Sequence, residues 1–168
     1  MCLDPDASKK PMSTIHLDAL IASIRDDMAP IAEQKDIIIT ASVSPAQIDG
    51  MEDAIRLMIT NLTDNAVRYT PQGGRIELSS SIVNGRSVVR VSDNGPGIAP
   101  DERARVFDRF YRALGTKTSG TGLGLAIVKR IVDIHHGTVT IEDGLDGRGT
   151  SFVLSFPPLG ASCPEESV

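Results

Sequence analysis

The chain predicts an α/β fold in a single domain, on three observations. Apolar residues recur at helical spacing in two long stretches. β-Branched or alternating segments lie between and after them and read as strands. A glycine-rich loop, Gly120-Thr121-Gly122-Leu123-Gly124-Leu125, runs directly into a third apolar-periodic segment. The 168 residues are enough to bury a core in one domain. A net charge of -5 argues against a general nucleic-acid binder, which would carry a basic surplus. Basic residues do cluster locally, at Arg103, Arg105, Arg109, Arg112 and Lys117. Beside so many glycines they suit a small anionic ligand; without them the cluster would read as a solvated charged face. Cys2 and Cys163 lie near opposite ends and make neither a disulfide framework nor a metal-ligand spacing, so a reducing compartment is expected. No apolar run approaches the length of a membrane span and no signal peptide is visible, so the expectation is a soluble fragment that is not membrane-inserted.

Residues 1–14 lack periodicity and read as a linker. From Leu17, the positions Leu17, Leu20, Ile21, Ile24, Met28 and Ile31 predict a helix, with Asp18 as its N-cap. Pro30 is expected to kink or break it near Ala29, and Lys35 to stand near its end. Ile37 to Val43 reads as a strand. A second helix, Met51 to Tyr69, buries Ile55, Met58, Ile59, Leu62 and Ala66 and stops at Pro71 and Gly73-Gly74. Beside that stripe run Asn61, Asn65, Arg68 and Tyr69; two asparagines one turn apart cost helix propensity and need hydrogen bonds wherever they are covered. Ile76, Leu78, Ser80 and Ile82 alternate along a strand, and Asn84-Gly85 marks a type I′ hairpin. The returning strand puts Val89, Val91 and Asp93 on one face, so a carboxylate ends an inward-facing row. Asp-Asn-Gly is also ordinary turn chemistry, but a carboxylate on the apolar face points to function. Helix Leu123–Ile134 follows the glycine loop, then strands Thr138–Glu142 and Thr150–Phe156, and residues 158–168 read as a disordered tail. There are no internal repeats.

Six of the fifteen glycines fall between Asp93 and Leu125. A glycine loop at a helix N-terminus offers unpaired N–H groups and the positive end of a dipole, a ready phosphate site.

Taken together, five segments resemble the boxes of the ATP-binding catalytic domain of bacterial sensor histidine kinases, within the superfamily of gyrase, heat-shock chaperones and mismatch-repair ATPases. Asn61 to Pro71 resembles the N box, Asp93-Asn94-Gly95-Pro96-Gly97 the first glycine box, and Phe107 to Arg112 the F box. Gly120 to Leu125 resembles the second glycine box and Gly147-Arg148-Gly149-Thr150 the last. The resemblance covers about Leu17 to Pro157, consistent with a domain over 15–157. It implies a two-layer α/β sandwich of the Bergerat (GHKL) type. A mixed, largely antiparallel sheet would be covered on one face by helices, with a flexible ATP lid over roughly Ile98 to Thr121.

The resemblance also implies roles. Asp93 would accept a hydrogen bond from the adenine amino group, with Gly95, Gly97 and Ile98 around the base. Asn65 would be the Mg²⁺ ligand, supported by Asn61; an amide oxygen is a hard donor suited to an ion that keeps most of its waters. Arg68 and Tyr69 would border the phosphates and the base. Gly120, Thr121, Gly122, Leu123, Gly124 and Leu125 would wrap the polyphosphate, and Thr150 would touch the adenine site. Arg109 or Arg112 would neutralise charge on the γ-phosphoryl group. In the superfamily's ATPases a glutamate one turn before the metal asparagine activates water; here that place is Asn61, which takes no proton near neutral pH. The implied function is therefore phosphoryl transfer from Mg-ATP to a histidine on a separate dimerising helical hairpin.

That acceptor is missing. His16, His135 and His136 lack the family's acceptor motif, a histidine followed by an acidic residue, a basic residue and proline. The resemblance thus describes a catalytic half, monomeric alone, from a homodimeric, inner-membrane-anchored parent with this domain in the cytoplasm. A response regulator would be its indirect partner. Competing readings are an ATP-binding module that does not transfer, a serine kinase of the anti-sigma-factor type, and an ATP-gated dimer clamp. Asn65, Asp93 and the second glycine box count against the first, the arginines of Phe107 to Arg112 against the second, and Asn61 against the third.

Overall fold

The computed structural model describes residues 12–103, 105–107 and 124–158. In chain order these form β1 (Ser13–His16), α1 (Leu17–Glu33), β2 (Ile38–Val43), β3 (Gln47–Gly50) and α2 (Glu52–Tyr69). There follow β4 (Arg75–Val83), β5 (Arg86–Asp93), α3 (Gly124–Ile134), β6 (Thr138–Asp143) and β7 (Thr150–Phe156), with short 3-10 turns at Pro100–Glu102 and Leu145–Gly147.

Five strands make one sheet in the order β2-β4-β5-β7-β6. The β2–β4 pair is parallel and the others antiparallel. The three helices cover one face, giving the mixed, largely antiparallel two-layer sandwich that the resemblance implied. Between the layers, Ile76, Leu78, Val89, Val91, Phe152, Leu154 and Phe156 from the sheet meet Ile21, Ile24, Ile55, Ile59, Leu62, Val128 and Val132 from the helices. Period-2 strands and period-3.6 helices each turn one apolar side to this layer, which is why the pattern was readable.

The hairpin at Asn84-Gly85 has both residues at positive φ, 53° and 80°, as a type I′ turn demands. It carries β4 past the core, so Ile82 is 52% exposed although it continues the alternation. In α1 the expected stripe holds through Met28, then shifts to Ala32, leaving Ile31 exposed. Asp18 is not the N-cap: His16 takes that place without a side-chain bond, and the Ala46 carbonyl accepts from the Leu17 N–H instead. Asp18 sits in the first turn, where its charge favours the positive end of the dipole. Nor does Pro30 break the helix. The carbonyl it deprives of a partner belongs to Asp26, and both residues are exposed, so that carbonyl is open to solvent.

A second, two-stranded sheet pairs β1 with β3, with buried Ile15 opposite buried Ile48. Sequence reading missed it, and β1 starts at Ser13, inside the stretch read as a linker. Each strand is four residues long and buries a single apolar side chain, Ile15 or Ile48, too little for a periodicity to show.

Candidate functional site

The site begins at Asp93, last residue of β5, held between Ile76 of β4 and the start of β7. Its side chain is 6% exposed. Oδ1 accepts from the Gly95 N–H at 2.9 Å and from the Thr150 N–H at 3.2 Å. Oδ2 accepts from none of the described residues. Burial raises the carboxyl pKa above its ordinary value, while the Gly95 and Thr150 N–H groups pull it down. The result is a carboxylate with one oxygen fixed by the protein and the other available to a donor.

Glycines let the backbone close around this group. Gly149 has φ +75°, and a Cβ there would lie 2.6 Å from Asp93 Oδ1 and collide with the Asp93 carbonyl. Gly97, at φ +84°, faces it: a Cβ would come within 2.9 Å of the Gly149 carbonyl. Both positions need left-handed backbone and close approach at once. A Cβ on Gly95 would meet Tyr69 O at 3.1 Å and Thr70 Cα at 3.3 Å, so the turn after Asp93 lies directly on the end of α2. Asn94 continues the ladder, its Oδ1 accepting from the Arg75 N–H at 2.9 Å.

On α2, Asn61 and Asn65 are half-buried beside the buried Leu62 and Ala66, and neither side chain hydrogen-bonds another described residue. They border the core without being covered, which leaves their amide oxygens open to water or a ligand. Arg68 is exposed and pairs with Asp64 through Nε at 3.0 Å; Tyr69 is half-buried. The far end of α2 is fastened by Lys35, whose Nζ donates to the Val67 and Arg68 carbonyls at 2.8 and 3.2 Å. A lysine near a helix C-terminus stabilises the unpaired carbonyls there. No local signal reveals this one, because Lys35 lies 32 residues away in sequence from Val67.

Ile98 is half-buried against the core, and the segment after it is anchored by Arg103. Arg103 donates from Nε to the Ile98 carbonyl at 3.0 Å and from Nη1 to the Ile141 carbonyl at 3.4 Å, and Nη2 pairs with Asp143 at 2.9 Å. Val106 is buried and Phe107 stacks edge-to-face on Phe152, ring centroids 6.1 Å apart. The start of the expected lid is therefore tied to β6 and β7. Arg103 belongs to the basic cluster expected to suit an anionic ligand, yet its fork is spent on this anchorage. Gly124 and Leu125 open α3, Leu125 packing on the core. Arg109, Arg112, Gly120, Thr121, Gly122 and Leu123 lie outside the described residues.

These donors fit a metal only in company with a ligand. Among the described residues no group of three or more His, Cys, Asp or Glu side chains could hold an ion alone. Neutral amide oxygens at Asn61 and Asn65 suit Mg²⁺ arriving with phosphate oxygens and its own waters. A separate cavity of about 100 Å³, lined by Ile38, Thr40, Arg75, Ile76, Glu77 and Leu145, contains none of the predicted site residues. Ligand pockets usually measure about 300–1,000 Å³, so it is too small for a nucleotide.

The family model for histidine kinase-, DNA gyrase B-, and HSP90-like ATPases matches residues 50–160. The chain belongs to that family. Within it, the domain is similar to sensor histidine kinases. It is 37% identical over 156 residues to the sensor protein kinase PmrB of Pseudomonas aeruginosa, covering 92% of this chain and 33% of that protein. It is 40% identical over 141 residues to the histidine-protein kinase/phosphatase MprB of Mycolicibacterium paratuberculosis, covering 78% and 27%. Among solved structures, a mycobacterial MprB sensor histidine kinase superposes with a TM-score of 0.78 at 30% identity, covering 88% of this chain and 97% of that one. Full-length ShkA, solved with AMPPNP, superposes at 0.76 and 36% identity over 87% of this chain and 31% of that one. The chain thus spans between about a quarter and a third of the length of these curated relatives. It is a catalytic ATP-binding domain of the two-component sensor kinase class, with the Bergerat (GHKL) fold.

Proposed function

We propose that this domain binds Mg-ATP between α2 and α3 and donates the γ-phosphoryl group to a histidine on a separate helical-hairpin domain. The observation that carries the reading is the Asp93 carboxylate. One oxygen is fixed by two backbone N–H groups, and the other is left without a described partner at the mouth of the core. An acceptor-only oxygen in a largely dry site selects a ligand donor, the adenine amino group, and penalises a carbonyl at the same position. Gly97 and Gly149 leave room for a flat base beside it. Asn65, supported by Asn61, holds Mg²⁺, which bridges phosphate oxygens and offsets their charge. The glycine loop before α3 takes the polyphosphate with N–H groups and the helix dipole.

The chemistry is transfer. In the reaction the bond from the γ-phosphorus to the bridging oxygen breaks, ADP leaves, and a nitrogen–phosphorus bond forms on the acceptor imidazole. Asn61 offers no base for water, which favours transfer over hydrolysis. The acceptor is expected on another domain, since His16, His135 and His136 all lack the acidic, basic and proline neighbours of the family's acceptor. His16 is exposed and bonded to Gln47 across the small sheet. His135 is buried with both ring nitrogens engaged. We place the domain in the cytoplasm of a dimeric parent that feeds a response regulator. Among the described residues no helix is long and apolar enough to cross a membrane.

The test is incubation with γ-labelled ATP, with and without a cognate hairpin fragment. Label should appear only on the hairpin and be lost in acid, as phosphohistidine is. Acid-stable label would indicate a serine acceptor, and fast ATP turnover by the domain alone would contradict transfer.

A further inference from the structure

His135 follows the last turn of α3 and is 5% exposed. Its Nδ1 lies 2.8 Å from the Ile131 carbonyl, and because a carbonyl only accepts, Nδ1 carries the proton. Nε2 is then an acceptor, and the Met51 N–H donates to it at 3.1 Å. Met51 is the N-cap of α2, whose side chain makes no capping bond. The imidazole therefore bonds the end of α3 to the start of α2. The junction is tight: a Cβ on the preceding residue, Gly50, would lie 2.6 Å from His135 Cδ2 and 2.8 Å from Nε2.

The two helices pack side by side and meet at this end, so they run antiparallel. At about 1.5 Å per residue, Gly124 lies about 16 Å along α3 from the pin, while Asn61 and Asn65 lie about 15 and 21 Å along α2. Gly124 and the two asparagines thus come level at the opposite end of the pair. A small slip of one helix at the pin is transmitted toward that end, because a close-packed interior has low compressibility.

We propose that His135 is a positioning residue. By bonding Met51 it sets the register of α3 against α2, and so the spacing between the start of α3 at Gly124 and the amides of Asn61 and Asn65. This rests on the nucleotide reading above, although His135 itself touches neither nucleotide nor metal.

Two amide replacements separate the pin from mere packing. In His135→Gln, Oε1 occupies the position of Nε2 and accepts from Met51. In His135→Asn, the amide reaches only the Ile131 side. Mg-ATP titration well below each variant's melting midpoint is the readout, with exchange of the Met51 amide proton as a nucleotide-free check. We expect His135→Asn to bind about tenfold more weakly and to exchange faster at Met51, since losing one buried bond leaves the competent register a minority state. His135→Gln should stay within about threefold of wild type. Asn within twofold of wild type, or Gln as weak as Asn, overturns the positioning role. Failure of the wild-type chain to bind Mg-ATP overturns instead the functional reading on which it rests. Should His135→Asn not fold, His135→Phe, which keeps the ring and removes the acceptor, takes its place with the same expected loss.

Discussion

Replacing Asp93 by asparagine removes an acceptor while leaving the shape of the site nearly unchanged. The amide oxygen can still take the N–H groups of Gly95 and Thr150, now held 2.9 and 3.2 Å from Oδ1. The other oxygen becomes an NH2 group that points a donor at the adenine donor. The lost bond to a charged acceptor is worth about 1.5–3 kcal/mol, and the opposed donors add to it. At about 1.4 kcal/mol per decade, Asp93→Asn should weaken Mg-ATP binding by about 10- to 150-fold or more. The unliganded fold should move the other way. Burial raises the native pKa of Asp93, so the native state holds its proton more readily than the unfolded chain does. The stability linked to that proton is fully present below the unfolded value of 3.8 and is lost as pH rises through the native value. At neutral pH the ionised carboxylate is a cost that asparagine does not carry. Calorimetric titration with a non-hydrolysable ATP analogue, alongside urea melts at pH 7, reads both effects. Binding within twofold of wild type refutes the adenine role. Weak binding with an equal loss of urea midpoint would show instead that Asp93 only holds the turn together.

Three further outcomes follow from the same geometry. Asn65→Ala should abolish the Mg²⁺ dependence of ATP binding and the phosphoryl transfer, with little change in melting because the side chain is half-exposed; full transfer with a helical partner would mean the asparagines have been misread. Gly149→Ala sets a methyl group against the Asp93 carbonyl and carboxylate at φ +75°, and should destabilise the fold by about 1–3 kcal/mol while weakening nucleotide binding. An unchanged melting midpoint would show that the loop yields freely. Burial lowers the pKa of His135, more than its bond to Ile131 raises it. Its contribution to stability is therefore full above the ordinary value of 6.5 and is lost as pH falls from there through the native value; in His135→Gln that part of the pH profile should flatten.

The sheet, the three helices and the inward row ending in Asp93 were legible because each rests on local periodicity. Val89, Val91 and Asp93 share a face whatever the strand packs against, and Asn84-Gly85 dictates its own turn. What escaped depends on long-range partners. Lys35 is one of five lysines, none marked out by its neighbours, until the chain brings it under α2. Arg103 reads as a ligand-facing cation until β6 arrives to take its guanidinium. His135 looks like an ordinary helix end, and only the fold sets it beneath Met51. That Pro30 does not break α1 has a related reason: the cost of proline depends on whether the freed carbonyl is buried, and the face of α1 that bears it is exposed. The boxes were recognised from residue types and order, and the fold then supplied the contact that composition could not, Gly95 seated on the end of α2.

On this reading the base is recognised at Asp93. The amide resonances of Gly95 and Thr150, which share Asp93 Oδ1, report on it directly. Titrating isotope-labelled protein with a Mg-bound, non-hydrolysable ATP analogue should shift both resonances strongly, and the matching GTP analogue should leave them nearly still. Equal shifts with both nucleotides, or shifts confined to the cavity between Ile38 and Leu145, would contradict the account.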